Sequence, residues 1–131
     1  MSVRVTLEVS VGELVDRISI LELKHARLPE PARSAVARDL AAARTTLTRH
    51  CVIDDRLTST AAALSAVNRE LWDTEECLRA CERNSDFDAR FVSLARSVYL
   101  CNDRRAALKR RIDELSGSEL SEHKSHPLPE P

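Results

Sequence analysis

Glu75 and Glu82 are the residues that raise the question of chemistry. At about 100° per residue they share one helical face with Leu57, Leu64, Leu71 and Leu78, the face a helix buries. A carboxylate held among leucines either loses its charge or finds a partner, because an unpaired buried charge costs several kcal/mol. A raised pKa would fit it for general acid or base work. Glu75 and Glu82 are therefore the candidate catalytic groups. Cations and amides follow a matching stripe. Asn102, Arg105 and Lys109 fall in line with Phe87, Phe91, Leu94, Val98 and Ile112, the expected buried stripe, and Asn68 and Arg79 lie near the seam of the other helix. Arg17 and Lys24 are available from a third helix. These seven residues form a candidate binding set for a small anion such as a phosphate or carboxylate. The competing reading is an internal ion-pair network that fixes helix register.

The elements that must position these groups are helical. Ser10 and Glu13 have the S-x-x-E spacing of a capping box, which starts a helix running to about Leu28, ahead of Pro29 and Pro31. That helix carries Val11, Leu14, Ile18 and Leu21 on one face and Ile20 and Leu23 on the other, a pattern suited to a position between two packing partners. A second helix follows to about Arg49, with Val36, Leu40, Ala43 and Leu47 as its apolar stripe. Two long helices follow, roughly 56–83 and 86–116, with Asn84, Ser85 and Asp86 as the link, Asp86 as the N-cap and Gly117 as the stop. So short a link implies an antiparallel helical hairpin. Folding it at residue 85 sets Asn68 level with Asn102.

Residues 3–9 alternate instead. Val3, Val5, Leu7 and Val9 point one way and Arg4, Thr6 and Glu8 the other, which argues a short N-terminal β-strand. A lone strand leaves unpaired backbone groups. An identical strand from a second subunit is the simplest partner, and a homodimer is expected. An arm laid along a helix groove is the alternative. The expected architecture is all-α: a long hairpin plus two shorter helices in one domain over residues 1–117. A flexible polar tail follows over 118–131, where His123 and His126 read as solvated.

Composition excludes several classes. Twenty basic and twenty-one acidic side chains give a net charge of −1, so nothing favours nucleic acid or an anionic membrane. No apolar run approaches the roughly 20 residues of a membrane span, and no signal peptide is evident, so a cytoplasmic location is expected. Cys51, Cys77, Cys81 and Cys101 then read as reduced, half-buried small hydrophobes. Without a second ligand pair at suitable spacing, no metal and no cofactor is expected.

Three blocks, GELVDRISILELKHARL (12–28), LWDTEECLR (71–79) and FVSLARSVYLCNDRRAALKRRIDELSGSELSEHKS (91–125), resemble an uncharacterised family of small bacterial and phage proteins, a domain of unknown function of about this length. The family's pattern falls on Gly12, Glu13, Asp16, Glu22 and Lys24, on Trp72, Glu75, Glu76 and Arg79, and on Asn102, Asp103, Arg105 and Lys109. Arg17 stands where lysine is usual, Glu76 where aspartate is usual and His126 where tyrosine is usual. Members occur beside or joined to glycosyltransferases, which implies a role in glycan or sugar-nucleotide metabolism. Two functions are thus expected as alternatives. One is binding, with or without transformation, of a small anionic metabolite in a polar inter-helix site. The other is a non-catalytic dimerisation or adaptor module accompanying a sugar-handling enzyme.

Overall fold

A computed structural model describes residues 2–118. They form four helices, α1 (Val11–Arg27), α2 (Ala32–His50), α3 (Asp55–Arg83) and α4 (Ala89–Ser116), with no strand among the described residues. The tail expected beyond Ser118, with His123 and His126, lies outside them.

Local chemistry sets the helix ends. The Ser10 hydroxyl accepts from the Glu13 amide at 3.1 Å and opens α1. The Glu13 side chain does not return the bond, because it is drawn to Lys109 instead. Asp54 caps α3 by accepting from the Leu57 amide at 2.9 Å. At the start of α4 the sequence expectation fails by two residues: the cap is Asp88, which accepts from the amides of Arg90 and Phe91. The Asp86 amide is committed to the preceding helix, donating to the Cys81 carbonyl at 2.8 Å. Gly117 closes α4 with φ 68°, a left-handed value that glycine adopts without steric cost.

α1 is the hub. It packs on α2, α3 and α4, whereas α2 packs among the helices on α1 alone. Two cores meet on α1, although the second does not use the expected Ile20 and Leu23, which are only half-buried and outside every core cluster. Val15 joins Leu57, Leu64 and Ile112 on the α3/α4 side, while Ile18 joins Leu40 and Ala43 on the α2 side. Val67, Leu71 and Cys101 form a third cluster directly between α3 and α4. These two long helices run antiparallel, with Glu70 facing Arg104 at 3.0 Å and Cys81 facing Arg90 near the link.

Helix lengths do not match. At 1.5 Å per residue, the 17 residues of α1 span about 25 Å and the 29 of α3 about 43 Å. α1 ends where Arg27 reaches Asp73 at 2.7 Å and lies over the Trp72 ring. Beyond that level no third helix among the described residues lies over the α3/α4 pair, and Phe87, Val92, Tyr99 and Leu100 are exposed.

The N-terminal strand is not present. Residues 2–9 carry no regular secondary structure and are exposed throughout, with Val3, Val5 and Leu7 at 80–89%. The reason is elementary: a strand exists by pairing, and the described residues of one copy offer no second strand. Burial pushes the thiols of Cys51 and Cys101 above the ordinary cysteine range, consistent with small apolar groups rather than ready thiolates. No described helix is long and apolar enough to cross a membrane.

Candidate functional site

Where α1 crosses α4, a ladder of polar contacts runs through the interior. α4 contributes Arg105, Lys109 and Asp113, spaced by four residues and so stacked on one face. α1 contributes Gly12, Glu13 and Asp16 from its first two turns. Asp16 is the centre. Its carboxylate is 3% exposed and accepts a two-pronged contact from Arg105, Nε to Oδ1 at 2.9 Å and Nη2 to Oδ2 at 2.6 Å. Asn68 of α3 donates to the same Oδ1 at 3.0 Å and to the Ser19 hydroxyl at 3.0 Å. One turn along, the Lys109 ammonium donates to Glu13 at 2.7 Å. At the end of the ladder the Asp113 carboxylate accepts from the Gly12 amide at 2.7 Å. That contact places a negative charge on the N-terminus of α1, where free amides and the helix dipole favour it.

Gly12 is the steric condition for this crossing. A Cβ there would run into the Lys109 backbone carbonyl and lie 2.8 Å from Asp113 Oδ1, so only glycine allows the two helices to come this close.

The electrostatics follow from the geometry. Burial alone would raise the Asp16 pKa. The hydrogen bonds from Arg105 and Asn68, with the nearby positive charges of Arg105 and Lys109, outweigh it and hold the carboxyl below its ordinary value of 3.8. Asp16 is thus an anion at neutral pH. No buried side-chain nitrogen or oxygen among the described residues lacks a hydrogen-bond partner.

Of the residues the sequence singled out, the fold brings Asn68, Arg105 and Lys109 together and leaves the others apart. Arg17, Arg79 and Asn102 are exposed, and Lys24 is half-buried in the last turn of α1. Glu75 and Glu82, expected on a buried face, are exposed too. Their phase is the same as that of Asn68, seven and fourteen residues earlier. What differs is the cover. α1 reaches across α3 at Asn68 but ends near Trp72, so the line emerges into solvent before Glu75. The buried position of that turn is taken by Thr74.

The residues missed are the buried Asp16 and Asp113 and the half-exposed Glu13. The available signal was the four-residue spacing of Arg105 and Lys109, two cations on an apolar stripe that call for acidic partners on a crossing helix. Five of the thirteen residues on which the resemblance above falls, Gly12, Glu13, Asp16, Arg105 and Lys109, lie at the α1/α4 crossing.

Open clefts of about 370–380 Å³ lie along the α2 side of α1, lined by Glu22, Arg44, His25, Leu47 and their neighbours rather than by Asp16, Arg105 or Lys109. Across them Glu22 and Arg44 form a surface ion pair at 3.0 Å. No group of three or more His, Cys, Asp or Glu among the described residues is arranged to hold a metal ion.

Neither the curated proteins nor the solved structures yield a match to this chain. A family model does. The one described as a family of unknown function, DUF6165, matches residues 5–130, nearly the whole chain, and the protein belongs to that family.

Proposed function

We propose that the protein is a non-catalytic dimerisation module, an adaptor whose buried acid–base ladder is structural. The observation that carries this reading is the closure of the ladder. Arg105 is committed to Asp16, Lys109 to Glu13, and Asp113 to the start of α1. A catalytic or binding site keeps some polar group available for its ligand. Here the charges are spent on fixing α1 against α3 and α4, as such networks can do when they specify register.

Exposed apolar side chains stand out toward the ends of the bundle. Val3, Val5, Leu7 and Val52 are more than three-quarters exposed, whereas the cleft-lining Glu22 and Arg44 already pair with each other. Surfaces of this kind serve association rather than chemistry. The resemblance noted above suggests the accompanying partner, a sugar-handling enzyme.

The alternative, a small anionic metabolite bound between the helices, requires Arg105 to exchange Asp16 for the ligand. A thermal-shift screen with phosphorylated sugars, nucleotides and dicarboxylates tests the choice. We expect no shift at ligand concentrations up to millimolar. A saturable shift that disappears in Arg105→Leu would overturn the adaptor reading.

A further inference from the structure

Residues 3–9 read Val-Arg-Val-Thr-Leu-Glu-Val, and this heptapeptide is palindromic in its physical character about Thr6. Lay it antiparallel against itself so that residue i faces residue 12 − i. Val3 then meets Val9, Val5 meets Leu7, Thr6 meets Thr6, and Arg4 meets Glu8 at both ends. From this we infer that the N-terminal segment forms a two-stranded antiparallel ladder with a second copy of the chain, with its twofold axis at Thr6. The inference rests on the dimerisation reading above and specifies its geometry.

The alternatives fail on pairing. A shift by one residue sets apolar side chains opposite polar ones and turns half of them to the wrong face. A shift by two separates Arg4 from Glu8 and shortens the ladder. A parallel in-register pair stacks Arg4 on Arg4 and Glu8 on Glu8, and like charges directly opposite each other are unfavourable. Among these arrangements, the register about Thr6 alone uses all seven residues and pairs opposite charges twice.

A second observation concerns what covers the ribbon. A two-stranded ribbon is marginal by itself and needs an apolar surface beneath it. The segment leaves the bundle at Ser10, where α1 and α3 begin and α2 ends. That end is defined by the packing of Val11, Leu47 and Cys51 around Val15 and Leu57. The loop at the same end presents Val52 at 89% and Ile53 at 46% exposure. The apolar face of the ribbon, four side chains from each copy, has this loop as its bed. Arg4, Thr6 and Glu8 remain on the water side.

Charge reversal tests the register. R4E places Glu opposite Glu twice, and E8R places Arg opposite Arg twice. Each variant alone should dimerise about tenfold more weakly than wild type. Mixed together, they restore both pairs and should form heterodimers with near-wild-type affinity in analytical ultracentrifugation. Cross-linking gives an independent readout. Directly paired residues in an antiparallel ladder lie about 4.5–5.5 Å apart at Cα, within disulfide reach. Under mild oxidation Thr6→Cys should cross-link to itself and Arg4→Cys should not, while Arg4→Cys mixed with Glu8→Cys should. Wild type, with its four native thiols, is the background control. A dimer in which R4E and E8R show no mutual preference and Arg4→Cys self-links as readily as Thr6→Cys would overturn this ladder while leaving the dimerisation module standing. A wild-type monomer would remove both.

Discussion

Replacing Arg105 with leucine removes the cation that faces Asp16 and keeps much of the side chain's apolar bulk. The carboxylate it leaves behind is 3% exposed, so it cannot turn to water. Breaking a buried pair by removing one partner costs about 3–5 kcal/mol. For a chain of this size that corresponds to a fall in melting temperature of about 12–20 °C. Asp16→Asn perturbs the same contact from the other side with a different consequence. The stranded guanidinium is 29% exposed and can recover hydration, and the new amide oxygen can still accept from Asn68. Its cost should be about 2 kcal/mol. The order, Arg105→Leu worse than Asp16→Asn, follows from burial alone. Guanidinium denaturation at fixed protein concentration and pH 7 measures both. Equal costs, or a larger cost for Asp16→Asn, would refute the assignment of Asp16 as the buried centre.

The pH dependence gives the same account a second signature. In wild type the Asp16 carboxyl titrates below its unfolded value of 3.8. Its stabilisation is therefore complete above that value and is lost as pH falls through the lower, folded one. In Arg105→Leu, desolvation acts without its main opponent and the sign reverses. The penalty is then full at neutral pH and shrinks as the carboxyl takes up a proton. The stability gap between the two proteins should narrow from pH 7 toward pH 4.5.

Two further predictions rest on position. Gly12→Ala should destabilise by about 2 kcal/mol or more, despite alanine's better helix propensity, because the new methyl meets the Lys109 backbone; thermal denaturation showing a gain would contradict the close crossing. Glu75→Gln and Glu82→Gln, both at exposed positions, should each stay within about 0.5 kcal/mol of wild type by denaturant midpoint, and a loss of several kcal/mol at either would mean that the outer α3/α4 pair is covered after all.

The all-α architecture was legible because the signals were local: Ser10 before Glu13, the proline pair after Leu28, and Gly117 at the end of α4. The two-sided packing of α1 and the stripe of α4 were legible only in part, because Val15 rather than Ile20 or Leu23 enters the second core and Phe87 at the start of the stripe is exposed. What periodicity could not supply was the extent of cover. Asn68, Glu75 and Glu82 have the same helical phase, and only the finite length of α1 decides that the first is buried and the other two are wet. The candidate site was legible from one side only. Arg105 and Lys109 stood out as cations on an apolar stripe, but their partners sit on a helix with two buried faces, where Asp16 and Glu13 look like ordinary surface acids. The N-terminal alternation was readable as strand character. Whether it becomes a strand depends on pairing with a second chain, which the fold of one copy does not supply.

The most direct test of the account is the solution mass of the full chain beside a version lacking residues 2–9. Light scattering at micromolar concentration should give twice the 14.7 kDa chain mass for the full protein. The shortened protein should run as a monomer with unchanged helical content, because those residues contribute nothing to the packed core. A full-length monomer, or a shortened protein that remains a dimer, would contradict it.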